Sequence, residues 1–293
     1  MRRSSLFQRV LRRFDKTFSS FFFIDQWVIM TAQGAGYNSL QWSTFRPIIP
    51  DKDRYWGDPF VVSRDDRYFV FIEEKIYATG RGRIACLTLD RAGGFLSNQV
   101  VLERPYHLSY PFIFEHDGET YMIPETAGNR SIELYRCVHF PDEWVFVHTL
   151  MADIYAVDAT LLQYQNKVWM FVNVKEPGGS SLDSLYLYYA PAGLPANEWT
   201  PHPHNPVVKD IRSARPAGRI FEHDGNLIRP SQDSSRRYGY ALKFNRITKL
   251  NENEYAEEAE LTFKPAGGRT LATHTYNQAG GLTAVDAIIR RRK

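Results

Sequence analysis

The chain says the same thing several times. "WGDPFVVSRDDRYFVFIEE" (Trp56–Glu74) reads as strand, polar turn, strand, and "LSYPFIFEHDGETYMIPE" (Leu108–Glu125) repeats the pattern. Three further phrases start at "DATLL", "RPAGRIF" and "HTYNQAG". The residues that open the five phrases are Asp58, Tyr110, Asp158, Arg215 and His274, spaced 52, 48, 57 and 59 apart. A step of 15 residues from each of the first four lands on Glu73, Glu125, Asn173 and Pro230, each closing a second apolar run. Third runs follow ("RIACLTL", "SIELYRC", "SLYLYYA", "YGYALKF"), and outer segments such as "EWVFVHTL" and "YAEEAELTF" complete the unit. A four-stranded meander cannot bury both its faces alone, and stacking such sheets around an axis solves the problem.

The expectation is therefore an all-β, five-bladed β-propeller with four-stranded blades. From Trp27 onward the apolar segments are short, Gly and Pro are scattered between them, and no long segment has helical period. The fifth phrase is short, with strand candidates near 272–277 and 282–289. "QWVIMTA" and "LQWSTFR" from the N-terminus would supply its outer strands, so both ends of the chain close one blade and leave no open edge. A β-sandwich is the alternative, and the constant 15-residue step argues against it. The domain expectation is a basic arm over 1–25 followed by one propeller over 26–293.

The net charge of +3 conceals an asymmetry. Residues 1–16 hold six Arg/Lys and one Asp, and Arg290–Lys293 are all basic, so the rest of the chain is acidic on balance. That argues against a nucleic-acid groove through the body. Leu6, Phe7, Val10, Leu11, Phe14 and Phe18 recur at helical spacing with Arg9, Arg12, Arg13 and Lys16 between them. Such a helix suits an anionic membrane surface, and packing on the body is the other reading. The block "FFFI" is too short for a signal peptide and no small-residue cleavage site follows it. The localisation expected is cytoplasmic, peripheral at the inner face of the membrane. Cys86 and Cys137 sit in apolar runs, which reads as buried free thiols, with a disulfide as the alternative. Their spacing fits no zinc motif, and no phosphate-cradling glycine loop is present.

In a propeller the first strands line the central channel. Asp58, Tyr110, Asp158, Arg215 and His274 then form a ring at one mouth, with Glu73, Glu125 and Asn173 around its rim. Carboxylates gathered there raise one another's pKa unless a cation compensates. One ionised carboxylate and one held protonated is what acid–base chemistry on a glycosidic bond requires. Each residue also has a structural reading: Asp before a strand caps turns, Arg215 can neutralise the ring, and His274 can be a satisfied interior histidine. The 17 tyrosines and 6 tryptophans suit sugar-binding surfaces as well as strands. Trp56 and Tyr110 are the candidates to stack on a sugar face.

The phrases "WGDPFVV…YFVFIEE…GRI", "HLSYPFIFEHDGETYMIPET…IELYRC…FPDEW" and "VDATLL…WMFVN" resemble the N-terminal domain family of plant glucosamine inositolphosphorylceramide transferases, which also has bacterial members. The resemblance runs from about Gln26 to Asp286. That domain in turn resembles five-bladed propeller glycosidases of the arabinanase, xylosidase and fructosidase kind. It implies that Asp58 is general base or nucleophile and that Asp158 orients and tunes. The resemblance also implies a general acid at the opening of the next phrase, where this chain has Arg215 in "SARPAG". Glu125 or Glu73 would then supply the proton. His274 falls where such propellers often place a histidine near a central ion or water. No cofactor is expected beyond a cation near His274.

The functional expectation is transfer or hydrolysis at a glycosidic bond in cell-surface polysaccharide or glycolipid assembly. Catalytic candidates are Asp58, Asp158, Glu125 and Glu73. Binding candidates are Arg215, as clamp for an anionic group, with His274, Tyr110, Trp56 and Asn173. Expected partners are a glycan or glycolipid, an anionic membrane surface met by residues 1–16 and 290–293, and a glycosyltransferase. The alternative is a non-catalytic glycan-binding module serving that transferase.

Overall fold

The computed structural model describes residues 22–191, 193, 196 and 198–293. Apart from a single residue in helical conformation and three short 3-10 turns, its regular structure is β. Five antiparallel sheets form a five-bladed β-propeller. Most of the arm expected over 1–25 lies outside the described residues. No helix among the described residues is long and apolar enough to cross a membrane.

Blade one comprises Arg54–Arg64, Arg67–Ile76, Gly82–Asp90 and Phe95–Leu102, counted from the axis outward. Blade two comprises Ser109–His116, Glu119–Thr126, Ser131–His139 and Glu143–Ala152. Blade three runs Ala156–Tyr164, Lys167–Val174 and Ser184–Pro191, and two short strands, Thr200–Pro201 and Val208–Lys209, both pair with the third. Blade four runs Phe221–His223, Asn226–Asp233, Ala241–Leu250 and Tyr255–Phe263. Both chain ends build blade five: Thr270–Ala272 and Tyr276–Ala279 pair with Leu282–Arg292, which pairs with Phe23–Gln33, which pairs with Arg46–Ile48. The outermost strand begins later than "LQWSTFR" suggests, because Trp42–Thr44 forms a 3-10 turn first.

The blades hold together through apolar faces pressed on their neighbours. Phe71, Phe112, Trp144 and Met122 belong to one buried cluster spanning blades one to three, and Phe244, Phe263, Tyr276 and Val285 to another joining blades four and five. Cys86 and Cys137 are free and buried within the first cluster.

The innermost strands carry the feature that builds the site. In blades one to three the register slips between Gly57 and Phe60, Ser109 and Phe112, and Val157 and Thr160. Each slip is a bulge that leaves the opening residue unpaired. Asp58, Tyr110 and Asp158 each adopt left-handed backbone, with φ of 52°, 43° and 58°. Asp tolerates that region, whereas Tyr does so only when its surroundings hold it there. Pro59 and Pro111 follow two of them and need no ladder partner for an N–H. Blade four departs further. Its inner strand is cut to Phe221–His223 because "RPAG" precedes it: Gly218 has φ 130°, and any Cβ there would collide with the Tyr276 carbonyl.

Candidate functional site

The bulges turn Asp58, Tyr110 and Asp158 out of their ladders, and the ring expected from the repeat is present as a bonded set. Asp58 Oδ1 accepts from Thr275 Oγ1 at 2.8 Å, and Asp58 Oδ2 from the Tyr110 N–H at 3.3 Å. His274 Nε2 stands 3.5 Å from Asp58 Oδ1. Arg215 Nε donates to Asp158 Oδ2 at 2.6 Å, and its Nη2 lies 3.3 Å from Asp158 Oδ1 and 3.6 Å from Glu125 Oε2. Positions about 50 residues apart in sequence are thus bonded neighbours.

The rim follows. Glu73 receives the Tyr55 hydroxyl at 2.9 Å and faces His107 Nε2 at 3.3 Å. Since His107 Nδ1 accepts the Gly82 N–H, its Nε2 carries a proton toward Glu73. Glu74 beside it points elsewhere, into a buried pairing with Arg83 and Arg54 and a hydrogen bond from Trp56 Nε1. Asn173 is buried, with Nδ2 donating to the Ser181 carbonyl and Oδ1 without a partner.

Two rim positions differ from the 15-residue expectation. In blade four the residue bonded across from Arg215 is Gln232, two beyond Pro230; its amide N–H donates to the Arg215 carbonyl and its Nε2 to Asp158 Oδ2 at 3.1 Å. In blade five it is Asp286, 12 residues past His274 and fully buried. Asp286 accepts the backbone N–H of His274 at 2.8 Å, of Thr275 at 3.1 Å and of Asp58 at 3.1 Å. His274 Nδ1 sits 2.6 Å from its Oδ2. The sole acid in "LTAVDAIIR" was the available signal for it.

Electrostatics divide these groups. Burial pushes Asp58 up to about 6, with Asp158 and Asp286 adding to the push and His274 opposing it, so Asp58 is mostly ionised at neutral pH. Burial and the Asp58 charge lift Glu73 to about 8. Burial, then the Asp158 charge, raise Glu125 well above the carboxylate range against the pull of Arg215. Glu73 is thereby mostly protonated at neutral pH, and Glu125 keeps its proton to higher pH than an ordinary carboxylate. Burial disfavours charge on His274, but Asp286 and Asp58 overcome it and raise the imidazole to about 9. Asp58, His274 and Asp286 offer ligand atoms within 4.8 Å of one another. The donor set fits an imidazolium better than a metal: Asp286 already accepts three N–H groups, and His274 Nδ1 faces it as a proton carrier.

Two expected sugar contacts are not available. The Tyr110 ring is wholly buried against Phe60, and its hydroxyl is engaged by Thr160 and the Gly218 N–H. Trp56 is packed in the core of blade one with its Nε1 spent on Glu74. Neither presents a ring face to the mouth, because the bulge turns Tyr110 inward and Trp56 lies on the opposite side of its strand from Gly57, the partner of Glu73. The exposed aromatic at the mouth is Tyr238, on the connector between the second and third strands of blade four, with 42% of its surface accessible. The Arg215 guanidinium lies 5.3 Å from its ring centre, and His274 meets it edge-on at 5.2 Å. Trp27 stacks on His274 at 4.2 Å and meets the Tyr238 ring edge-on at 6.5 Å.

Residues 50–274 match the model of the family "Glucosamine inositolphosphorylceramide transferase 1, N-terminal". The chain belongs to that family. Glucosamine inositolphosphorylceramide transferase 1 of Oryza sativa subsp. japonica is 33% identical over 232 residues, covering 75% of this chain and 31% of the relative. The Arabidopsis thaliana protein of the same name is 31% identical over 219 residues, covering 73% of this chain and 28% of the relative. The chain thus spans under a third of these relatives' length. Among solved structures, the catalytic domain of the Coprinopsis cinerea GH62 α-L-arabinofuranosidase matches with TM-score 0.60 and 13% identity over 89% of this chain and 97% of that one. The GH43 endo-arabinanase of Bacillus licheniformis matches with TM-score 0.56 and 11% identity over 83% and 95%. At such identities the likeness establishes the shared fold.

Proposed function

We propose that the mouth acts on a glycosidic bond of a lipid-linked glycan, by transfer or hydrolysis. The observation that carries this reading is that Asp58 and Glu125 lie in one buried mouth, where burial and the neighbouring carboxylates raise Glu125 well above its ordinary value. In this reading Glu125 gives its proton to the glycosidic oxygen as the C–O bond breaks. Asp58 either attacks the sugar carbon or takes the proton of the incoming hydroxyl. Asp158 holds Arg215 and Gln232 in place, and Glu73 is the reserve acid. Tyr238 and Trp27 offer aromatic surface to a sugar. His274, charged between Asp286 and Asp58, keeps Asp58 ionised. The Arg215 guanidinium meets the phosphate or carboxylate of an anionic substrate while bonded to Asp158. The relatives' name supplies a substrate class to test, a glucosaminyl inositolphosphoryl lipid.

A second reading is favoured by one observation. Arg215 occupies the place of an expected acid and is engaged by Asp158 and Glu125, as suits a site that only binds. The protein would then be a glycan-binding module for a glycosyltransferase partner. Under either reading the protein is cytoplasmic and held peripherally at the inner face of an anionic membrane by its basic ends. Incubating the wild-type chain and Asp58→Asn with a fluorescent glucosaminyl-inositolphosphoryl lipid separates the two. Turnover lost in the variant with binding kept supports the enzyme; binding without turnover in both supports the module.

A further inference from the structure

The strand order fixes which connectors share the face of the mouth. Links from second to third strands, and from each outer strand to the next blade, lie on that face; the hairpin turns after first and third strands lie on the far one. The two faces differ in charge. Described far-face turns carry Asp65, Asp66, Asp117, Asp142, Glu198, Asp224, Glu252 and Glu254 against Arg91. On the mouth face Arg81, Arg130, Lys175, Arg236, Arg237 and Arg269 have no acidic partner among the described residues. Asp51, Asp153, Glu176 and Asp183 stand against them, so the connectors alone are modestly basic. The chain ends decide the sign. Phe23 pairs with Arg292, and the Lys293 N–H donates to the Phe22 carbonyl at 2.9 Å, so both ends leave on the mouth face. At that end Arg291, Arg292 and Lys293 add to the basic side.

Exposed apolar side chains are on that face too. Phe22, Ile49, Tyr77, Tyr155, Ile211 and Tyr238 all lie in its connectors or at its chain end. Aromatic rings among basic side chains are the composition of a membrane–water interface.

We infer that the mouth-bearing face seats on an anionic lipid bilayer, so that a lipid-linked head group enters the mouth from the membrane plane. This rests on the proposed reading of a lipid-linked substrate and adds the orientation in which it is met. The acidic far face is repelled by the same surface and faces away.

The experiment uses the full chain carrying an environment-sensitive fluorophore at Tyr77→Cys, at Ile211→Cys or, on the far face, at Asp117→Cys; native Cys86 and Cys137 are buried. Each is mixed with glycolipid-free phosphatidylcholine vesicles with or without roughly 30% phosphatidylserine. The expected result is co-sedimentation at least about tenfold stronger with phosphatidylserine, a blue shift at positions 77 and 211, and none at 117. No binding, a shift at 117, or binding with no shift at either mouth-face position overturns the inference. Equal binding of a single-stranded nucleic acid with the same shift at 77 would assign the face to nucleic acid and overturn it as well. Because the vesicles hold no glycan, failure here leaves the glycan reading standing, and failure of turnover leaves this result unchanged.

Discussion

Arg215 Nε lies 2.6 Å from Asp158 Oδ2, although 57 residues separate the two in sequence. Both side chains are almost wholly removed from water. A buried pair gains little over apolar packing, but breaking one strands a charge. Here Arg215 also faces Glu125 and the Tyr238 ring, so one guanidinium supports three walls of the mouth.

Arg215→Gln should therefore cost about 3–5 kcal/mol of unfolding free energy, the usual penalty for leaving a buried charge unpaired. Arg215→Lys should cost less, because the charge survives while the two-pronged geometry is lost. Urea unfolding of both variants checks the order.

Asp58→Asn should lower turnover of a glycosyl substrate by about 10²–10⁴-fold while leaving its binding close to wild type. Glu125→Gln should fall in the same range. Glu73→Gln should lose under about tenfold, as it stands beside the reacting pair as reserve. Steady-state rates and equilibrium binding on the three variants test the assignment, and a larger loss at Glu73 than at Glu125 would exchange their roles.

The ring was legible because a bulged propeller strand repeats its chemistry with its period. Asp58, Asp158, Glu73 and Glu125 fall on that period, and the structure brings them to one mouth. Asp286 and Gln232 escaped it for a geometric reason. Blade five has a shorter first hairpin, turning at Gly280–Gly281, and blade four replaces its inner strand with "RPAG", so a fixed step misses both partners. Tyr238 was invisible for another reason: it sits on a connector, whose path is set by the Ser234 hydroxyl bonding the Gly239 N–H and by Gly239 packing on His274, not by any repeat. Tyr110 and Trp56 were misplaced because residue type reveals an aromatic, but only the bulge decides which way it turns.

Stability should fall as pH rises from about 6.5 to 9. Glu73 and Glu125 have folded pKa values above their unfolded ones, and so has His274. In each case the folded state binds the extra proton, and that advantage is lost as pH climbs through the folded value. Below 6.5 the depressed His107 works in the opposite direction, which sets the lower limit of the window. Thermal melts across this range should show the decline, and Glu73→Gln should flatten it.

Asp286→Asn should move the His274 titration from about 9 down toward the ordinary 6.5, since the Asp286 charge is the largest influence raising it. NMR of the imidazole would follow this directly.

The central claim is that the five opening residues form one glycan site, and a crystal of Asp58→Asn soaked with glucosaminyl-inositol phosphate tests it most directly. The account predicts the sugar in the mouth, against Tyr238, with its glycosidic oxygen in reach of Glu125. The same ligand bound only in an outer groove between blades, with the mouth holding water alone, would contradict it.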